Sequence, residues 1–551
     1  MRAGSALCIV AVASAAVADW PAQFDLRDVG PTHENYVTSV KSQRGGTCWT
    51  HGSMAAIEGN LLRSGTWQAL LDSGYETAPQ PNLAEYHLDW WNGFNEHHND
   101  DTDPPNGPGN GLKVHNGGDY RVVTAYMTRG DGAVYSAAAN DGTEKDDNWY
   151  SSAPARSDPS YHVYYARDVE WYVAGSDLGN IGTIKQALTD HGVLGTCMYW
   201  GGGFFSSSHG GTHYQPSSDS RPPNHSIAIV GWDDAKATQA PEPGAWLCKN
   251  SWNSSWSGDG YFWISYYDKH AGQDPQMGAV SFQGVEPNSY DTIYSHDTHG
   301  WRAELIGPSA AFNAFTASDD ELLSAVSFYT TEDDVNYDVR VYDRFEGGQL
   351  LDELALITGT IAHSGYHTVD LDAAIALAAG DAFYVRVELS NARHAFDRTS
   401  EVPVLLGDLP APATDGRIVS DAEPGQSYYF NGAEWLDLFD YALIDPDLGD
   451  VSGSANFCIK ALATSFAPGD YDGDGDVDRN DLAVFLGAYD TPSPGRCDLD
   501  GDDDCDRDDL AVFLDLFGDG SGLPSGDPTP EPATLGLLLA GSLAAALRRR
   551  R

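Results

Sequence analysis

Four residues have the types that catalysis by a thiol requires. Cys48 can act as a nucleophile, and His225 stands at the start of a strand-like run, where its imidazole can serve as the base. Asn250 follows, and its amide oxygen can accept the imidazole N–H and fix its orientation. Gln43 can donate an amide N–H to a developing oxyanion beside the Cys48 backbone N–H. The set predicts a nucleophilic thiol site.

A helix is predicted directly after Cys48. Apolar residues recur there at three- and four-residue steps, at Trp49, Met54, Ile57, Leu61 and Leu62. Gly65 is the stop signal, and Thr47 is predicted to cap the first turn. This arrangement puts the Cys48 sulfur at the positive end of the helix, where a thiolate is favoured.

A structural role for Cys48 is the alternative. The chain begins with Arg2, an apolar run and Ala16-Val17-Ala18, which predicts a secretory signal cut after Ala18. Export permits disulfides. Cys48 is then either a nucleophile or half of a disulfide, His225 either a base or a core histidine, and Asn250 either an orienting or a turn residue. The occurrence of all three in this order favours catalysis.

Five further cysteines remain after the predicted cut: Cys197, Cys248, Cys458, Cys497 and Cys505. Cys497 and Cys505 bracket an acidic loop and can form a local disulfide, a pairing that the sequence leaves open. Cys197 and Cys248 either pair across strands or stay as buried thiols.

The fold class is predicted to be α+β. The helical pattern comes early, and short apolar runs such as "HSIAIVGWDD", "AWLCKNSW" and "GYFWISYYD" follow, separated by turn residues. A helical front half before a strand-rich back half is typical of this class.

Three segments resemble the papain-like cysteine peptidases, the cathepsin family. They are "SVKSQRGGTCW", "NHSIAIVGW" and "KNSWNSSWSGDGYF". The resemblance implies a helical half and a barrel-like β half. It also implies catalysis without a cofactor, in which Cys48 attacks the peptide carbonyl, His225 protonates the leaving amine, Asn250 orients His225 and Gln43 completes the oxyanion hole. Trp252 would shield the Asn250–His225 hydrogen bond.

The resemblance extends to the substrate-binding strand. Asn116-Gly117-Gly118 is similar to the glycine strand that pairs with substrate backbone in this family, so Gly117, Gly118 and Trp252 are the candidate substrate-binding residues. Gly45 stands where the family has a second cysteine, and the loop from Gln43 to Cys48 is one residue shorter than usual. Glycines in that loop can absorb the difference through backbone conformations closed to other residues.

Alternating strands such as "YDVRVYD" and "AFYVRVEL" predict an antiparallel β-sandwich after the peptidase region. This part resembles the lectin-like domain of some bacterial papain-like peptidases. It is expected either to bind a surface glycan or to act as a spacer.

An acidic repeat follows, with "DYDGDGDVDRND" and "DLDGDDDCDRDD" each leading into an apolar helical run. Carboxylates at these loop positions suit Ca²⁺, which takes six to eight oxygen ligands. The repeat resembles a dockerin, a small α module, and implies two structural calcium sites and a possible cohesin-like partner. The candidate ligands are Asp470, Asp472, Asp474, Asp478 and Asp481, then Asp498, Asp500, Asp502, Asp506 and Asp509.

The C-terminal residues resemble a PEP-CTERM-type sorting signal of Gram-negative bacteria, with Pro530-Glu531-Pro532, a short apolar run and four arginines. The resemblance implies a membrane transpeptidase as partner and a location outside the cell or at its surface; a short membrane anchor is the alternative. The predicted boundaries are 1–18 for the signal peptide, 19–287 for the peptidase, 288–465 for the sandwich, 468–520 for the calcium module, 521–529 for a linker and 530–551 for the sorting signal.

Composition excludes one class of partner. Acidic residues outnumber basic ones 81 to 31, so nucleic acid is not expected to bind. The sequence predicts a secreted or surface cysteine endopeptidase that acts on protein or peptide. An exopeptidase with the same site is one alternative, and an inactive adhesion or glycan-binding protein that uses the sandwich is the other.

Overall fold

The computed structural model describes residues 20–99, 101–102, 111–139, 148–406, 416–466, 469–470, 477, 479–488, 499, 505 and 507–518. Within them the chain forms seven α-helices: α1 (Cys48–Arg63), α2 (Thr66–Ser73), α3 (Glu85–Trp91), α4 (Tyr120–Thr128), α5 (Ile181–His191), α6 (Arg479–Ala488) and α7 (Arg507–Gly518).

The strands of the N-terminal part are β1 (Gln23–Asp25), β2 (Val134–Tyr135), β3 (His162–Tyr172), β4 (Leu194–Met198), β5 (Phe205–Ser206), β6 (Thr212–His213), β7 (His225–Asp233), β8 (Ala245–Lys249), β9 (Tyr261–Ser265) and β10 (Ala279–Pro287). Helices α1–α4 precede most of these strands, so this part has the helical half and the β half that the sequence predicts.

The strands of the C-terminal part are β11 (Thr292–Tyr294), β12 (Ala303–Ile306), β13 (Ala310–Thr316), β14 (Glu321–Thr330), β15 (Val335–Glu346), β16 (Gln349–Ile361), β17 (Gly365–Leu377), β18 (Ala382–Leu389), β19 (Arg393–Asp397), β20 (Ser400–Glu401), β21 (Arg417–Ile418), β22 (Ser427–Phe430), β23 (Trp435–Asp437), β24 (Ile444–Asp445), β25 (Gly449–Asp450), β26 (Asn456–Phe457) and β27 (Ile459–Ser465).

These strands form the predicted antiparallel sandwich. One sheet has the order β16-β15-β18-β13-β22-β23, and strands β11, β27, β14 and β17 lie in another sheet. A shared apolar core joins Val339 and Val385 of the first sheet to Phe328 and Ile459 of the second.

The second sheet does not end with the sandwich. Strand β17 pairs with β3 through Gly365↔Glu170 and Tyr366↔Val169, and the sheet continues through β10, β4, β7 and β8. The predicted boundary between residues 287 and 288 therefore lies inside one hydrogen-bonded sheet.

Helix α1 confirms the helix predicted after Cys48, although the predicted cap by the Thr47 side chain is wrong. Thr47 makes no side-chain cap; its hydroxyl donates to the Arg44 carbonyl at 2.9 Å, because the side chain turns back into the preceding loop. Polar residues of α1 are buried as well as apolar ones, which makes α1 a central helix. Gly52 lets α1 approach the sheet, because a Cβ at this position would collide with Ser226 of β7.

Buried charges fix α1 to its neighbours. The Glu58 carboxylate accepts from Lys41 Nζ at 2.8 Å and from the Thr38 hydroxyl at 2.5 Å, and Lys249 Nζ donates to that hydroxyl at 3.0 Å. Burial alone would lower the pKa of Lys41, but Glu58 and Glu85 hold it above its usual value. Burial lowers the pKa of Lys249 to about 8.

Helices α6 and α7 follow the two predicted calcium loops and pack through Phe485 and Phe513, whose rings stack at 5.3 Å. Among the described helices, none is long and apolar enough to cross a membrane. The predicted signal peptide, the linker and the sorting signal lie outside the described residues.

Replacing Glu58 tests the buried charges. We expect Glu58→Gln to lower the free energy of unfolding by about 3–5 kcal/mol, because it removes the negative charge that faces the buried Lys249 and leaves Lys41 with Glu85 alone of its two carboxylate partners. Denaturant unfolding followed by tryptophan fluorescence measures the loss. The control Asp72→Asn, on the exposed surface of α2, should change it by less than about 0.5 kcal/mol. Equal effects of the two substitutions would contradict this role.

Candidate active site

His225 and Asn250 are joined by a hydrogen bond. His225 opens β7 and Asn250 directly follows β8; these strands are antiparallel neighbours, with Ala228 opposite Lys249. Both side chains are buried, and His225 Nε2–H donates to Asn250 Oδ1 at 2.9 Å. The bond fixes the ring with Nε2 toward Asn250, as the sequence predicts for an oriented base.

Trp252 covers this hydrogen bond. Its ring stacks on His225 at 4.5 Å with an interplanar angle of 12°. Trp200 and Trp256 pack edge-on against Trp252 at 4.7 and 5.3 Å. The aromatic cluster excludes water from the imidazole, which strengthens electrostatic interactions inside the site.

Cys48 is the first residue of α1, and its side chain is fully buried. Gly52, one turn later, faces Ser226, the neighbour of His225, so the first turn of α1 lies beside the start of β7.

The loop before Cys48 depends on its glycines. Gly45 has φ +66°, and a Cβ on Gly46 would lie 3.0 Å from the His115 carbonyl.

Gln43 lies beside the Asn250 segment. Its backbone N–H donates to the Ser251 carbonyl at 2.8 Å, and its side-chain oxygen accepts from the Ser251 hydroxyl at 2.6 Å. Its amide nitrogen donates to the Gly45 carbonyl at 3.1 Å. An amide nitrogen carries two hydrogens, so this arrangement leaves a second N–H that can serve an oxyanion.

Gly117 and Gly118 form one wall of a groove beside Cys48. Asn116 pairs with Gly46 in a short parallel bridge, which brings this strand next to the loop that carries Cys48. Gly118 packs on Trp49, since a Cβ there would lie 2.7 Å from the indole. Asn224 and His225 form the opposite wall, because successive backbone N–H groups of one stretch of chain reach the Gly118 carbonyl and the Asn224 carbonyl. The space between these walls is called the cleft below.

The cleft holds a part of the chain that the sequence analysis missed. Val402–Leu406, called the cleft segment below, follows β20 of the C-terminal part. Leu405 N–H donates to the Gly118 carbonyl at 3.0 Å, and Leu406 N–H donates to the Asn224 carbonyl at 2.7 Å. No sequence motif marks this contact, because it joins residues far apart in the chain through backbone atoms.

The remaining described cysteines separate into two groups. Cys197, Cys248 and Cys458 are free and buried, and burial raises the pKa of each thiol. A Cys197–Cys248 disulfide is excluded because β7 lies between β4 and β8. Cys505 is disulfide-bonded, and Cys497, its predicted partner, lies outside the described residues.

Three of the ten predicted calcium ligands are described: Asp470, Asp481 and Asp509, all buried. Asp509 Oδ1 accepts from the Leu499 backbone N–H at 2.6 Å, which joins the last position of the second loop to its second position. The other seven lie outside the described residues: Asp472, Asp474, Asp478, Asp498, Asp500, Asp502 and Asp506.

Three family models match the chain. Residues 125–279 match the papain family cysteine protease, 293–463 the lectin like domain and 528–551 the PEP-CTERM protein-sorting motif. The first match contains His225 and Asn250, whereas Gln43 and Cys48 precede it.

Curated relatives include cathepsins. Human cathepsin L2 (Homo sapiens) is 25% identical over 251 residues, which are 45% of this chain and 61% of cathepsin L2. Cathepsin K of Mus musculus is 24% identical over 243 residues, which are 44% of this chain and 58% of cathepsin K. The chain thus spans less than two thirds of the length of these relatives.

Solved structures cover more of the chain. The cysteine protease and lectin-like domains of Cwp84, a surface layer associated protein of Clostridium difficile, are 21% identical with a TM-score of 0.60. The likeness covers 81% of this chain and 89% of that structure. Cwp84 after propeptide cleavage is 22% identical with a TM-score of 0.58, over 78% of this chain and 97% of that one. The shared fold is a papain-like protease with a lectin-like, β-rich domain.

These matches support a cysteine-type peptidase, which is a hydrolase.

Thiol labelling tests the cysteine assignments. In the native protein iodoacetamide should leave Cys197, Cys248 and Cys458 unmodified, because burial both hides the thiols and disfavours thiolates. After denaturation without reductant all three should react, while Cys505 should react only after reduction. Peptide mass spectrometry reads each site. A disulfide-linked Cys197–Cys248 peptide would contradict the assignment.

Proposed function

We propose that the protein is a secreted or cell-surface endopeptidase that hydrolyses peptide bonds through Cys48, His225 and Asn250, with Gln43 as an oxyanion donor. The observation that carries the proposal is the 2.9 Å hydrogen bond from His225 to Asn250 beneath Trp252. It lies at the end of a strand that packs against the first turn of the helix that Cys48 begins.

The proposed reaction uses these four residues. The Cys48 thiolate attacks the peptide carbonyl carbon, and the negative charge that develops on oxygen is met by the Cys48 backbone N–H and the Gln43 amide. His225, as imidazolium, donates its proton to the leaving amine, which leaves a thioester on Cys48. Water then attacks the thioester and passes a proton to His225 while the carbon–sulfur bond breaks. This step releases the acid product and restores the Cys48 thiolate and the His225 imidazolium. Asn250 accepts from His225 Nε2–H throughout and keeps the ring in place.

Sorting to the cell exterior is part of the proposal. The matched tail at 528–551 supports a sorting partner at the membrane and a location outside the cell or at its surface. A Gram-negative host, the signal peptide at 1–18, and a cohesin-like or glycan partner remain expectations from the sequence.

Alkylation of Cys48 against pH tests the catalytic proposal. We expect iodoacetamide to modify Cys48 well below pH 8.5, about where a free thiol ionises, in a Leu405→Asp background in which the cleft segment no longer covers the buried thiol, because an imidazolium partner favours the thiolate. His225→Ala should return the profile to that of a free thiol. Asn250→Ala should lower kcat/KM by about 10- to 150-fold, the effect of a hydrogen bond to a charged group worth about 1.5–3 kcal/mol.

Two substrates complete the test. A peptide blocked at both ends should be cleaved if the enzyme is an endopeptidase, whereas cleavage confined to free-ended peptides indicates an exopeptidase. If Cys48 ionises like a free thiol with or without His225, the catalytic proposal fails and an inactive adhesion or glycan-binding protein becomes the better interpretation.

We further propose that Ca²⁺ binds the two acidic loops. Buried carboxylates are costly unless they are hydrogen-bonded or bind a cation, and Asp470, Asp481 and Asp509 are all buried. The Leu499–Asp509 hydrogen bond suits a loop whose first and last positions meet around an ion. Bound Ca²⁺ would neutralise these carboxylates and support the packing of α6 on α7.

Calorimetry with Ca²⁺ tests these sites. Chelator-treated protein should bind two ions, and Asp481→Asn and Asp509→Asn should each remove one, because each takes a charged oxygen ligand from a different loop. Asp72→Asn is the control. Binding of two ions by the Asp481→Asn/Asp509→Asn double variant would contradict the assignment.

A further inference from the structure

The cleft segment, Val402–Leu406, is buried in the active-site cleft although it belongs to the C-terminal part of the chain. Val402, Leu405 and Leu406 are buried, whereas Pro403 is exposed. Val402 and Leu405 belong to the same apolar core as Cys48 and Trp49. The segment is therefore part of the peptidase interior.

The chain is held by strand pairing on both sides of the cleft segment. Strand β20, directly before the segment, pairs with β21 through Ser400↔Ile418 and Glu401↔Arg417. The Arg417 carbonyl also accepts from the Gly111 N–H at 2.8 Å. Strands β20 and β21 thus hold the chain together at one place on both sides of residues 402–416, which are called the excursion below.

The backbone of the segment is bound as an extended peptide between the two walls of the cleft. Leu405 N–H donates to the Gly118 carbonyl on one wall, and Leu406 N–H donates to the Asn224 carbonyl on the other. Asn224 directly precedes His225. The N–H of Leu406 is therefore bound to the residue next to the candidate base, His225. The carbonyl carbon of Leu406 is two covalent bonds from this N–H, so it also lies near His225.

The side chain of Leu406 lies against the loop that carries Cys48. Its Cδ2 would be 3.0 Å from a Cβ on Gly46 and 2.9 Å from a Cβ on Gly117. Gly46 precedes Cys48 by two residues. Leu406 therefore contacts the loop before Cys48 at Gly46, one wall of the cleft at Gly117 and the other wall at Asn224.

We propose that the active site cleaves its own chain at the peptide bond between Leu406 and Gly407, with the cleft segment bound as substrate. The inference rests on the proposed function and adds a substrate to it. The direction of the chain supports cleavage, because it runs from Gly118 toward Asn224 and His225, and Leu406 is the last described residue of this hydrogen-bonded stretch.

The step uses the groups already described. Cys48 Sγ bonds to the Leu406 carbonyl carbon, the Leu406–Gly407 C–N bond breaks, and His225 gives a proton to the released Gly407 amine. Water then hydrolyses the Leu406 thioester. The products are a Leu406 carboxylate and a Gly407 amine, the Cys48 thiolate and His225 imidazolium are restored, and water is the only co-reactant.

Cleavage would not release the segment at once. The β20–β21 pairing holds the excursion on both sides, so the nicked protein should stay associated, with the Leu406 carboxylate still in the cleft. External substrate must displace this end, and substitutions that weaken its binding should raise activity on added peptide.

Intact-mass measurement under denaturing conditions tests the proposal. Wild type should separate into two fragments, the second beginning at Gly407, and Cys48→Ala should stay whole. The rate should not change on tenfold dilution, because the reaction is intramolecular. Leu405→Asp should nick at least about tenfold more slowly, since a charged side chain replaces a buried leucine, while it cleaves a blocked external peptide faster than wild type.

Two controls keep the outcome interpretable. Leu405→Met, which conserves apolar volume, should nick at close to the wild-type rate. The melting temperature of Leu405→Asp in the Cys48→Ala background shows whether the variant folds. Wild type that cleaves the blocked peptide while its Leu406–Gly407 bond stays whole would overturn self-cleavage and leave the proposed function standing. Wild type that cleaves neither, with Cys48 ionising like a free thiol, would overturn both.

Discussion

A single buried carboxylate, Glu58, connects the segments that carry the candidate catalytic residues. It lies on the helix that Cys48 begins, and it binds Lys41, two residues before Gln43. Through Thr38 it is linked to Lys249, the residue directly before Asn250. A buried charge that loses its partner is strongly destabilising. The loop that carries Gln43, helix α1 and strand β8 must therefore keep their relative positions for the core to stay intact.

Close packing of α1 adds a second restraint. Gly52 and Gly59 leave no room for side chains, because a Cβ at either position would collide with Ser226 or Val193. Tyr120 is the first residue of α4, and its hydroxyl donates to the Thr196 carbonyl of β4 at 2.8 Å. These contacts hold α1 at one depth against the sheet. The thiol and the imidazole thus sit on two rigid elements, which suits a site whose chemistry depends on alignment.

The C-terminal part of the chain contributes residues to the candidate active site. Its sheet is continuous with the peptidase sheet through β3 and β17, and His299 from this part donates to the Gly93 carbonyl of the peptidase. A domain that acted only as a spacer would make fewer contacts with the peptidase part. The same attachment positions the cleft segment, so access to Cys48 depends on residues some 350 positions further along the chain.

The sequence by itself determined the class of peptidase and the local elements, and it predicts the residues proposed for catalysis. Cys48, His225 and Asn250 are recognisable from residue type and order, and the spacing of Met54, Ile57 and Leu61 predicts α1, because a helix places such residues on one side. Gly45 was correctly expected to take a conformation closed to other residues. These features depend on side-chain type and on neighbours in the chain, which a sequence displays directly.

Only the tertiary structure decided which segments meet. Thr47 does not cap α1, because its hydroxyl finds a carbonyl in the preceding loop, and Cys197 and Cys248 do not pair, because β7 separates their strands. The charges around Glu58 and the cleft segment have no local signature. Their partners are distant in the chain, and backbone carbonyls such as those of Gly118 and Asn224 are common to every residue type. Packing of the whole chain selects them.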